Sequence, residues 1–192
     1  AKVYDLEGKA LLPGLIDCHV HVTAVHHDVL QLSMQPPSLI AAQAKDRDVI
    51  ITMVTDTPDM VEVILGEEGI IHGVARGAVV IDMSTVSPRA TQQVAAELEK
   101  TGVDMLDAPV SGGDKGAIAG TLSIMVGGEQ HVFDDCLPIF QAMGEKIILI
   151  GGHGAGQTTK LCNQIAVSVA NMAMCEALML AAASGLDVEK VL

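Results

Sequence analysis

The stretch Val49-Ile50-Ile51-Thr52-Met53-Val54-Thr55-Asp56-Thr57-Pro58-Asp59 holds two patterns back to back. Its first half is a continuous run of β-branched and apolar side chains, as expected for a strand covered on both faces. Its second half sets small polar residues and a proline where a helix would begin. Residues 60–65 continue that helix, and Gly66 stops it. The same unit then recurs. Residues 78–82 read as a strand, Ser84-Thr85-Val86-Ser87-Pro88 as a turn, and residues 89–100 as a helix with Val94, Ala95 and Leu98 on one face. Gly102 lies just past its end, where a left-handed residue closes helices. Residues 104–107 and 122–126 supply two more strands, residues 131–143 a helix, and residues 147–150 a last strand. From about Gln157 a long helix runs to about residue 184. Strands alternating with helices at this spacing predict an α/β fold with a mainly parallel sheet.

Composition narrows the function. The 192 residues carry 11 Lys+Arg against 24 Asp+Glu, a net charge of −13, so a nucleic acid or an anionic membrane is a poor partner. There is no Trp, with one Tyr and two Phe, so stacking platforms for bases are not expected. An apolar fraction of 49% with 18% charged residues argues for a packed core over disorder. Cys18, Cys136, Cys162 and Cys175 form no C-x-x-C pair, and the reading is of buried, reduced thiols in a cytoplasmic protein without a secretory leader. Residues 161–183 are apolar and long enough to cross a bilayer. Asn163, Asn171 and Glu176 within them favour a buried or interdomain helix, because such groups are costly in lipid.

Two signals carry chemistry. The first is Pro13-Gly14-Leu15-Ile16-Asp17-Cys18-His19-Val20-His21. An H-x-H on a strand points both rings to one side, where they can share a divalent metal. Residues 1–43 resemble the start of the metal-dependent amidohydrolases, and the resemblance implies His19 and His21 as metal ligands. The other ligands of that family have no counterpart in the sequence. The reading is therefore a structural strand carrying two histidines and no complete metal site, with a metal-dependent hydrolase fragment as the weaker alternative.

The second signal is Asp107-Ala108-Pro109-Val110-Ser111-Gly112-Gly113, then Gly116-Ala117-Ile118-Ala119-Gly120-Thr121-Leu122, then Gly154-Ala155-Gly156-Gln157-Thr158-Thr159-Lys160-Leu161-Cys162-Asn163-Gln164. By residue type, Ser111-Gly112-Gly113 offers a hydroxyl and approachable backbone N–H groups in one turn, suited to a small carboxylate. Lys160 opens an apolar helix, where desolvation lowers an ammonium pKa towards the range of a general acid or base. Asn163 lies one turn further along the same face. In this order the motifs resemble the β-hydroxyacid dehydrogenase family, over residues 45–192. The resemblance implies an enzyme, an NAD(P)-dependent 3-hydroxyacid dehydrogenase. It would exchange a hydride between NAD or NADP and a small carboxylate-bearing 3-hydroxy acid or its semialdehyde, with turnover expected to be impaired in this sequence, which shows neither the glycine fingerprint nor the later helices of that family. It implies Lys160 as the catalytic acid/base, Ser111, Gly112, Gly113 and Asn163 as substrate-binding residues, and Val54, Thr55, Asp59 and Thr85 as cofactor-binding residues.

The sequence departs from that family in three places. Thr55 stands where a Pro is common, and Gln164 replaces a second Asn. No G-x-G-x-x-G turn for the pyrophosphate is present, since Gly152-His153-Gly154-Ala155-Gly156 fails at its final position. The resulting expectation is a leader over residues 1–43 and the second half of a Rossmann domain over 44–156. A long interdomain helix opening a shortened all-α domain follows over 157–192. The partial Rossmann-like sheet and the apolar helix predict a homo-oligomer. A non-catalytic structural or interaction remnant of the same fold is the alternative.

Overall fold

The computed structural model describes residues 48–191, together with three short strands before them, β1 (Tyr4–Leu6), β2 (Lys9–Leu11) and β3 (Val22–Thr23). β1 and β2 pair antiparallel with each other, and β3 pairs antiparallel with β4 (Val49–Met53). The expectations for Cys18, His19 and His21 fall outside the described residues.

From β4 onward the chain alternates. α1 (Thr57–Leu65), β5 (Val79–Asp82), α2 (Pro88–Thr101) and β6 (Asp104–Asp107) follow in order, and β4, β5 and β6 lie parallel and adjacent. Local chemistry sets the boundaries. Asp56 caps α1 by accepting from the Asp59 N–H at 3.4 Å, and Ser87 caps α2 by accepting from the Ala90 N–H at 3.4 Å. Each helix has a proline in its first turn, where no intrahelical N–H is lost. Gly102 ends α2 at φ 78°, a left-handed conformation that costs glycine nothing.

The second half builds on β6. β7 (Val110–Ser111), α3 (Gly113–Ala119), β8 (Leu122–Gly127), α4 (Gln130–Gln141), β9 (Gly144–Gly151) and α5 (Ala155–Ala183) follow among the described residues, with two short 3₁₀ turns besides. β8 and β9 are parallel over a long register. The antiparallel pairings of β3 with β4, β6 with β8 and β7 with β8 are limited to one or two residue pairs each. The sheet is therefore mostly parallel, as the spacing of the strands predicted. The 110–119 segment was not legible as β7 and α3, because two glycines in the seven residues of α3 remove the apolar periodicity that signals a helix.

Side chains of β5 and β6 alternate between two cores. Val80 and Met105 face α1 and α2 with Ile50, Ile64 and Leu98, while Ile81 and Leu106 face α4 with Phe133 and Phe140. Burial on both faces is why these strands read as unbroken apolar runs.

Two expectations need correction. α5 begins at Ala155, and apart from Ala181 its buried residues, Gly156, Gln157 and Lys160, all lie in its first two turns. Leu161, Ile165, Val169, Met172, Met179 and Leu180 are exposed, so within the described residues this apolar helix is not a buried one. Cys162 and Cys175 are exposed with it, and of the described thiols only Cys136 is buried. The sequence suggested burial because the helix is apolar on every side, but no other described element packs along its length. By length and composition α5 could cross a membrane.

Candidate active site

A row of polar residues crosses the carboxyl ends of the parallel strands. Thr52 of β4 is in register with Asp82 of β5, Asp82 with Asp107 of β6, and Asp107 with Gly127 of β8. Thr52, Asp82 and Asp107 are all fully buried. Ligand sites of open parallel sheets lie at this edge.

Asp82 gathers donors on a single oxygen. Its Oδ1 accepts from Thr52 Oγ1 at 2.9 Å, from Ser84 Oγ at 2.7 Å and from the Ser84 N–H at 3.4 Å. Its Oδ2 is buried and has no partner among the described residues. Burial holds the Asp82 carboxyl above the usual carboxylate range, and the charge of Asp107 adds to this. A carboxyl whose pKa is raised on folding binds its proton more tightly in the native state, so stability falls as pH rises from the unfolded value of 3.8. Asp82→Asn removes that dependence. The stability of the variant minus that of the native chain should climb with pH above 3.8, with a slope of at most about 1.4 kcal/mol per pH unit. Urea unfolding across the acid-to-neutral range measures it, and a flat difference would show that Asp82 titrates normally.

Asp107 does a different job. Its two oxygens accept from the Gly154 N–H at 2.7 Å and the Gln157 N–H at 2.9 Å, fixing the start of α5. A carboxylate there also meets the positive end of the helix dipole. Burial nevertheless raises its pKa, the two N–H bonds opposing the rise only in part.

The first turns of α5 then place two side chains. Gln157, fully buried, donates through Nε2 to the Ser84 carbonyl at 2.7 Å and accepts at Oε1 from the Val86 N–H at 3.0 Å. Lys160 lies three residues on, and its Nζ donates to the Val110 carbonyl at 2.7 Å. Burial lowers the pKa of its ammonium.

The residues singled out in the sequence fall into two groups around this frame. Lys160 is brought against the strand that ends in Ser111, next to Gly112 at φ 141° and Gly113 at φ 61°. The φ of Gly112 is one that residues with a side chain rarely adopt, so glycine is favoured there by conformation. Asn163 is half-buried one turn beyond Lys160, with Nδ2 3.5 Å from Gln164 Oε1. The second group is Val54, Thr55 and Thr85. Val54 donates its N–H to Ser84 Oγ at 2.8 Å, which ties the loop after β4 to the loop after β5. Thr55 and Thr85 are exposed. Asp59 stands apart in the first turn of α1, its N–H taken by Asp56. The sequence reading missed Asp82 and Gln157. The available signal was an acidic residue ending an apolar strand, and an amide directly after a glycine-rich turn.

Residues 18–151 match the family described as the NAD binding domain of 6-phosphogluconate dehydrogenase. Residues 154–192 match the NAD-binding domain of NADP-dependent 3-hydroxyisobutyrate dehydrogenase. The chain belongs to the β-hydroxyacid dehydrogenase family. Among its relatives, the 2-hydroxy-3-oxopropionate reductase of Escherichia coli (strain K12) is 42% identical over 175 residues, covering 90% of this chain and 60% of the relative. Mouse mitochondrial 3-hydroxyisobutyrate dehydrogenase is 38% identical over 153 residues, covering 80% and 46%. The solved structure of Mycobacterium tuberculosis 3-hydroxyisobutyrate dehydrogenase with L-serine superposes with a TM-score of 0.67 at 36% identity, over 77% of this chain and 50% of that one. The chain thus spans about half the length of these β-hydroxyacid dehydrogenases. The first family match begins at residue 18, inside the stretch that resembles an amidohydrolase.

Proposed function

We propose that the chain carries the central part of an NAD(P)-dependent oxidoreductase acting on a small 3-hydroxy acid or its semialdehyde. The observation that carries this reading is Lys160, a buried lysine of lowered pKa held beside Ser111-Gly112-Gly113 on a helix anchored to the sheet edge. Chemistry of this kind needs a group that exchanges a proton with a substrate hydroxyl, and desolvation, by lowering the lysine pKa, moves Lys160 towards that role.

The residues at the sheet edge suit a dinucleotide. Val54 has its N–H committed to Ser84, so the loop after β4 is fixed, and Thr55 and Thr85 are exposed residues beside it. Val54, Thr55, Asp59 and Thr85 would hold NAD or NADP, which supplies a hydride acceptor or donor when bound. Ser111, Gly112 and Gly113 bind the substrate carboxylate. Asn163 orients the substrate oxygen, and Lys160 takes the hydroxyl proton in oxidation and returns it in reduction. The same reading places the protein in the cytoplasm as a homo-oligomer. It divides the chain into a leader over 1–43, half a Rossmann domain over 44–156, and the opening of an all-α domain over 157–192.

Titration with NADH and NADPH tests this directly. A ligand that binds only the native state stabilises it by about 2.7 kcal/mol at one hundred times its Kd, so a rise in melting temperature with either dinucleotide is expected. A melting temperature unmoved by both would favour the non-catalytic remnant.

A further inference from the structure

We propose that Gln157 is a positioning residue that locks the turn carrying Thr85 to the helix carrying Lys160, so that the two move as one body. The juxtaposition is specific. One primary amide grips the carbonyl of Ser84 and the N–H of Val86, the two backbone groups that flank Thr85. A glutamine amide is both donor and acceptor, so it satisfies this pair in a single orientation. Met83, Ser84 and Val86 are buried around the grip, while Thr85 between them is exposed. The clamp therefore holds one residue outward without using its side chain.

Both ends of the clamp are themselves fixed. The Gln157 N–H is held by Asp107 Oδ2 at 2.9 Å, and Ser84 Oγ links onward to Asp82 and to the Val54 N–H. On α5, Gln157 and Lys160 are three residues apart and share a face. The loops after β4 and β5 thus reach Lys160 through one buried amide. The link to a dinucleotide rests on the function proposed above, whereas the clamp rests on the geometry alone.

Gln157→Glu and Gln157→Leu test it, read by hydrogen exchange at the Val86 amide relative to the amides of β6, which divides out global opening. Loss of the grip should lower relative protection at Val86 about tenfold in Gln157→Leu at every pH. In Gln157→Glu the ionised carboxylate sets an anion against the Ser84 carbonyl, and protection should fall at neutral pH. Acidification restores a carboxyl that both donates and accepts, and burial moves that recovery above the usual carboxylate range. Recovery with acid in Gln157→Glu, absent in Gln157→Leu, supports the clamp. Unchanged protection in Gln157→Leu, or no recovery in Gln157→Glu, overturns it, as does failure of both variants to fold at every pH. Where the native chain binds NADH, Gln157→Leu should weaken binding about tenfold, and equal binding also overturns the positioning role. A native chain that binds no dinucleotide refutes the proposed function, while Val86 protection still decides the clamp.

Discussion

Gly156→Ala should cost the chain about 3 kcal/mol or more of stability, the upper range for overpacking a well-fitted core. A Cβ at Gly156 would collide with the Met125 carbonyl oxygen, and would lie 2.8 Å from the Asp107 carbonyl and 2.9 Å from its Oδ2. Two of these atoms are strand backbone, and the third is a carboxylate already pinned by two N–H bonds, so none can swing aside. The helix would have to lift from the sheet. Lifting it breaks the bonds from Gly154 and Gln157 to Asp107 and exposes a carboxylate whose position depends on them. Gly152→Ala is the matched control, because nothing lies within 4 Å of its added Cβ. That control should change stability by no more than about 0.5 kcal/mol. Urea unfolding of both variants decides the matter. A Gly156→Ala loss as small as the control's would mean that α5 does not press on β6 and β8 as described.

The same contact explains what the sequence could and could not disclose. β4, α1, β5, α2 and β6 were legible because each depends on local pattern, apolar runs for the strands and Asp56, Ser87 and Gly102 for the helix ends. That Lys160 and Ser111-Gly112-Gly113 belong together was suggested by the order of their motifs, and Lys160 does reach the carbonyl of Val110 beside them. Asp82 and Gln157 were not legible, since their meaning lies in partners far along the chain. Gln157 meets Ser84 and Val86 across more than seventy residues, and nothing local to Gln157 announces the distant backbone groups it will satisfy. The exposure of Cys162 and Cys175 escaped for a related reason. An apolar helix signals that it is to be covered, and the sequence of the helix does not say by what. Even the polar row from Thr52 to Asp107 depends on strand register, which is settled by pairing between strands and not within any one of them.

On the function proposed above, and with the remaining length of its relatives supplied, Lys160→Ala should lower turnover of the hydroxy acid by ~10²–10⁴-fold, the usual worth of a positioned acid/base. Dinucleotide binding should be unchanged, because Lys160 faces the Val110 carbonyl on the Ser111 side of the site and not the Thr85 turn. Lys160→Arg should be equally impaired, since a guanidinium keeps its proton and cannot accept one from the substrate. The pH dependence carries a further sign. Oxidation needs the neutral amine, so its rate should fall as pH drops through the Lys160 pKa. Reduction needs the ammonium and should fall as pH rises through the same value. Burial lowers that pKa from 10.5, so both limbs should sit below the range of a solvated lysine. A small primary amine added to Lys160→Ala should return part of the lost rate by taking the vacated place. Near-normal turnover in Lys160→Ala would remove Lys160 from the chemistry. Loss of dinucleotide binding in step with turnover would show instead that Lys160 holds the site together and does not move the proton.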